Sequence, residues 1–117
     1  MTTEAIRLGL NMAHLRAEVA SANIANADVA GYRAQRADFR EAVGLMREAA
    51  AHPSMAGSRL ESVTSAVLRD SVHADSSAPV SQEGEVADLE TASVDFQSLT
   101  TILSRRFALM QLAMAGR

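Results

Sequence analysis

The sequence predicts an all-α protein, with long N- and C-terminal helices packed as an antiparallel coiled-coil hairpin and a short, partly irregular central segment between them. Three observations predict it. Apolar residues recur at heptad spacing near both ends of the 117-residue chain. Alanine is the commonest residue while aromatics make up 3%, a composition suited to close helix contacts rather than a thick core. Both prolines, with much of the serine, fall between the two apolar ends. The expected organisation is a helix and loop over 1–40, a central segment with one short helix over 41–87, and a helix over 88–117, the two ends forming one helical domain.

The first helix is expected over residues 3–27. Ile6, Leu10, Ala13, Ala17, Ala20, Ile24 and Ala27 are spaced 4-3-4-3-4-3, which makes a seam. A second row, Leu8, Met12, Leu15, Val19 and Ala22, starts two residues later, about 200° further round at 3.6 residues per turn. Polar strips (Arg7, His14, Ser21; Asn11, Glu18) separate the rows. One partner helix covers one seam, so a helix apolar on two sides needs several neighbours. The expectation is that one molecule alone leaves such flanks unshielded and that copies cover them.

Residues 28–37 read as a loop around Gly31-Tyr32. Asn26 and Asp28 are suited to ending the helix through backbone hydrogen bonds, Gly31 to redirecting the chain, and Tyr32 to anchoring the loop on a neighbour. Asp38 and Glu41 fit a capping pattern for a short helix carrying Phe39, Val43 and Met46, which should stop before Pro53. Residues 52–87 are expected to be irregular and mobile. Over 60–68 the evidence is split: Ser58 and Glu61 favour a helix, while Val63, Thr64 and Val67 favour a strand.

The last helix is expected over 88–115. Leu89, Ala92, Phe96, Leu99 and Leu103 step 3-4-3-4, and Phe107, Met110 and Met114 follow after one extra residue, a stutter that locally unwinds a supercoil. Asp88 and Glu90 suit a helix N-terminus, and Arg105, Arg106 and Arg117 suit a C-terminal end. The residues expected to make interactions through these seams are Ile6, Leu10, Leu15, Val19, Ile24, Phe96, Leu99, Leu103, Phe107 and Met110.

Charge and composition exclude several classes. The net charge is −3, and all eleven basic residues are dispersed arginines, which argues against nucleic acid or an anionic membrane as partner. Residues 41–95 hold three Arg against ten acids, whereas 96–117 hold three Arg and no acid. No apolar run approaches the length needed to span a bilayer, so no membrane insertion is expected. Glu4, Arg7, Arg16 and Glu18 interrupt the start of the chain and exclude the apolar region of a cleavable signal peptide there. There is no cysteine, and His14, His52 and His73 lack metal-ligand spacing; His14 reads as a plain surface residue. The acids Glu83, Glu85, Asp88 and Glu90 lack the order of a calcium loop. No glycine-rich phosphate loop or nucleophile elbow is present. The expectation is a non-enzyme with no catalytic residue, cofactor, metal or small-molecule substrate.

One stretch carries a resemblance. Ser21-Ala22-Asn23-Ile24-Ala25-Asn26-Ala27-Asp28-Val29-Ala30-Gly31-Tyr32-Arg33-Ala34, continuing to Asp38-Phe39, resembles the amino-terminal motif of the bacterial flagellar basal body rod protein family, a helix ending in Asn-(Ile/Leu)-Ala-Asn-Ala and a turn with Gly-Tyr. Within that group it is most similar to the proximal rod proteins. Asp88-Leu89-Glu90 and Leu103-Ser104-Arg105-Arg106-Phe107 resemble the family's closing helix. The likeness covers roughly 5–40 and 84–117, with Asn23, Asn26, Gly31 and Tyr32 as the rod motif. It departs at Val29-Ala30, where the family usually has Thr-Pro, and at Glu85, where an asparagine commonly stands. The closing helix also looks about one heptad short and lacks the family's Asn-x-x-x-Tyr-Gln stretch.

The resemblance implies a structural subunit of the proximal rod in the flagellar basal body, spanning the periplasm. It implies export unfolded through the flagellar type III apparatus without a cleavable signal, and assembly by the terminal helices with copies of itself and other rod proteins. Phe39 and Val43 resemble the export-gate signal of early substrates; their alternative is simple packing on one face of a short helix. The other readings left open are another axial rod protein, or a helical adaptor or export chaperone that binds a partner helix by one seam.

Overall fold

A computed structural model describes residues 3–52, 57–75 and 80–116. The elements run α1 (Thr3–Ala25), β1 (Gln35–Ala37), α2 (Arg40–Ala51), α3 (Gly57–Ser62), α4 (Ser65–Asp70), β2 (Val72–Ala74) and α5 (Gln82–Ala115). The molecule is all-α apart from one two-stranded ribbon. It measures 63 × 25 × 21 Å with a radius of gyration of 17.0 Å. A compact chain of this length has about 13 Å. Its elongation comes from α5, whose 34 residues span about 51 Å.

Helices α1 and α5 form the antiparallel hairpin. Arg106 Nε donates to Thr3 Oγ1 at 3.1 Å, and Arg16 pairs with Asp95 at 3.6 Å, so residue numbers rise on one helix as they fall on the other. Between these points the helices come very close. A Cβ at Gly9 would lie 3.0 Å from Leu99 Cδ1, which is why the α1 seam has a glycine there despite its cost to helix stability. The first apolar row of α1 serves this contact.

The second row does not wait for another molecule. Leu8, Met12 and Leu15 pack in one core with Phe39, Ala42, Ala49, Leu60, Val63 and Leu68, and Val19 joins its edge. Thus α1 is covered on both sides by its own chain, and the expectation that these flanks stay unshielded in one molecule is corrected. Burying a side chain such as Leu60 (1% exposed) contributes about 2–3 kcal/mol, enough to dock a short segment that has little helix stability of its own.

The central segment is accordingly ordered where it is described. Residues 57–75 form two short helices and a strand, where irregular, mobile chain was expected. Thr64 settles the split over 60–68: its hydroxyl accepts from Val67 N–H at 3.3 Å and starts α4, so Val67 is helical. Arg7, from a polar strip of α1, donates from Nη2 to the Leu60 carbonyl at 3.0 Å and so caps the end of α3. Strand β2 pairs antiparallel with β1, Arg36 opposite His73, and Asp75 N–H donating to Ala34 O at 2.7 Å extends the ribbon.

Two helix starts differ from those expected. Helix α5 begins six residues before Asp88, because the Ser81 hydroxyl accepts from Gly84 N–H at 3.3 Å and places Glu83 and Glu85 in the first turn. Helix α2 has no side-chain cap. Asp38 instead takes the Arg40 guanidinium (2.6 Å to Nη2) and backbone N–H, which hold its carboxyl down at about 2.

Glu18, in the other polar strip of α1, binds both guanidinium nitrogens of Arg69 on α4 at 2.7 and 3.0 Å. His14, expected as a plain surface residue, lies 2.8 Å from the same carboxylate. The Arg69 hydrogen bonds, then Arg69 and His14 charge, lower the Glu18 pKa. A carboxylate lowered on folding stabilises fully above its unfolded value and loses that contribution as pH falls through the folded one. Glu18→Gln should therefore shift the urea midpoint down at pH 7, by a small amount since both partners are exposed. The shift should shrink on acidification below about pH 4. Equal shifts at pH 7 and at pH 3 would refute this coupling of α1 to α4.

Candidate assembly interface

The loop after α1 is built around Asn23. Its side chain is completely buried and makes three hydrogen bonds. Nδ2 donates to the Gln35 carbonyl at 3.1 Å, while Oδ1 accepts from Gln35 N–H at 2.8 Å and from the Tyr32 hydroxyl at 2.9 Å. One amide thus satisfies the backbone at the start of β1 and ties down the loop tip. The Tyr32 hydroxyl, expected to help anchor the loop on a neighbour, bonds Asn23 within its own chain. Asn26 closes α1: its N–H and its side-chain Nδ2 both donate to the Ala22 carbonyl, at 3.1 and 2.8 Å. Gly31 has φ +78°, in the left-handed region, with nothing within 4 Å of an added Cβ. Its requirement is backbone conformation, not space.

The ribbon is then fixed to α5. Glu85, 2% exposed, accepts from Arg36 Nη1 at 2.6 Å. A buried carboxylate is tolerated only with such a partner, so this pair sets where the start of α5 lies against β1. No spacing in the sequence points to it. Arg16 lies 5.4 Å over the Phe39 ring and, through Asp95, also reaches α5.

The seam residues divide into two groups. Ile6 and Leu15 are buried; Leu10, Val19, Ile24, Leu99 and Leu103 are half-buried within the molecule. Phe96, Phe107 and Met110 are exposed. Phe39 and Val43 belong to the core and its margin, so in the folded chain their packing role is filled.

Past Arg106, α5 runs beyond the level of Thr3 for nine residues, about 13 Å, with no described part of α1 beside it. There Phe107 is 48% exposed, Leu109 66%, Leu112 69% and Met114 73%. Gln111 is the only polar side chain in Phe107–Ala115, so this tip is apolar all round, and the stutter after Leu103 marks its beginning. Arg105 and Arg106 stand more than two turns short of the helix end, too far to complement its dipole, whose influence is confined to the last turn. Arg117 lies outside the described residues. The opposite end of α5 is acidic, with Glu83, Asp88, Glu90 and Asp95 exposed.

Among the described residues no three His, Asp or Glu side chains converge to hold a metal. No described helix is long and apolar enough to cross a membrane.

Asn23→Ala should destabilise the fold by about 2–4 kcal/mol, since it removes three hydrogen bonds and leaves the Gln35 backbone unpaired. Tyr32→Phe removes one and should cost about 1 kcal/mol. Urea denaturation measures both, and equal costs would contradict a central role for Asn23. The comparisons with known proteins fit this picture of the loop. No curated protein and no solved structure matches the chain. Residues 7–33, which carry most of α1 and the Asn23–Tyr32 clamp, match the family described as flagella basal body rod protein.

Proposed function

We propose that this chain is a structural subunit of the proximal rod of the bacterial flagellum, most like FlgB, exported through the flagellar type III apparatus and assembled through its terminal helices with copies of itself and with other rod proteins. The match over residues 7–33 supports a structural role in the rod and a place in the basal body. The observation that carries the finer reading is the tip of α5, an all-round apolar helix end that its own chain leaves bare. A helix of that kind is stable only when surrounded, as it is inside a packed assembly.

Export fits the same molecule. Phe39 is buried when the chain is folded, so a receptor for Phe39 and Val43 reads them only in the unfolded chain. After assembly the same two side chains serve the core. In this proposal the pair serves export first and core packing afterwards.

Basal bodies isolated from cells that express a tagged chain test the proposal. The expected result is that the tag co-purifies with the rod fraction and that deleting the gene abolishes rod assembly and swimming. Recovery solely in the cytoplasm, in a complex with another flagellar protein, would overturn it in favour of an adaptor or chaperone.

A further inference from the structure

Phe39 is closed in from two directions. Part of its side chain lies in the core with Leu8, Met12 and Leu15, and among the described residues that core takes none from α5. The Arg16 guanidinium stands over the ring, 5.4 Å from its centroid. Beside them lies a cavity of about 130 Å³, walled by Arg16, Arg36, Ala37 and Phe39 and by Glu85 and Asp88 of α5. Both arginines of this wall are held by acids of α5. Arg36 Nη1 donates to Glu85 at 2.6 Å, and Arg16 pairs with Asp95 at 3.6 Å, ten residues or about 15 Å further along the helix.

We infer that α5 is a lid over Phe39, latched through Glu85 and Asp95. Docked, it closes the approach to the ring through the cavity; undocked, it leaves the ring covered on that side by a single untethered guanidinium. This rests on the proposed reading of Phe39 as part of an export signal and names what regulates access to it. A cation over a ring at a half-exposed site is weakly held, so Arg16 needs Asp95 to stay in place. The two latches differ in strength. The Glu85 carboxylate is buried and parts from Arg36 only at high cost, whereas the Arg16–Asp95 pair is long and half-exposed and contributes little. The helix is therefore fixed at its start and free to lift further along. Chain order adds a direction in time. Residues 82–115 are synthesised last, so Phe39 stays open until they dock.

The chain has no cysteine, so a single introduced thiol reports its own surroundings. Ala37→Cys places a thiol on the cavity wall and leaves Phe39 intact, and Phe39→Cys places one at the ring itself. Leu60→Cys places one in the core, where the native side chain is 1% exposed. Each purified full-length variant is labelled with a maleimide, alone and with Glu85→Gln and Asp95→Arg added to open both latches. The expected result is that opening the latches speeds labelling of A37C and F39C severalfold while L60C labels at its original rate. Unchanged labelling at A37C would overturn the inference, and so would an equal acceleration at L60C, which marks loosening of the whole core. If F39C loses its circular dichroism, A37C decides by the same criterion. Labelling needs no export machinery, so its failure leaves the export reading untouched, and absence of the chain from basal bodies leaves the lid untouched.

Discussion

Everything in this molecule follows from α1 being apolar on two nearly opposite sides. A helix presents one side to each neighbour, so α1 must sit in the middle of whatever forms around it. Here α5 takes the side lined by Gly9, Ala13 and Ala17, and the central segment takes the side lined by Leu8, Met12 and Leu15. The polar strips between the rows carry the fastenings: Arg7 caps α3, and Glu18 holds Arg69 of α4. With both sides of α1 filled, no described part of the chain covers the last nine residues of α5.

The loop motif is the second constraint. The chain must leave α1, turn back and enter the ribbon without unpaired backbone in the interior. Asn23 achieves this because a single amide both donates and accepts; Asp in its place would lack the donor to the Gln35 carbonyl. The ribbon fixed in this way presents Arg36 to Glu85, and that pair in turn holds the start of α5. The segment that marks the rod family is thus the joint through which the two long helices are set against each other. That joint also sets the direction in which α5 projects.

Both seams were legible from residue spacing, because a heptad pattern sustained over several helical turns leaves little ambiguity between helix and strand. The clamp was legible only as a motif. That Tyr32 bonds Asn23 within the chain, rather than a neighbour, depends on a turn geometry that no periodicity encodes. The central segment escaped for a different reason. Helices as short as α3 and α4 carry no periodic signal and little stability of their own; they exist because Leu60, Val63 and Leu68 dock on α1 and because Thr64 and Arg7 satisfy their ends. The extent of the bare tip was also hidden, although the stutter after Leu103 was visible, because it is set by the level at which α1 begins beside α5.

Hydrogen exchange of the full-length chain, followed by mass spectrometry from high dilution to high concentration, tests this account most directly. It predicts that α1 and residues 57–75 are protected even in the dilute monomer. Phe107–Ala115 should exchange freely there and become protected as the chain assembles. Rapid exchange over 57–75 in the monomer, together with a tip whose exchange does not depend on concentration, would contradict it.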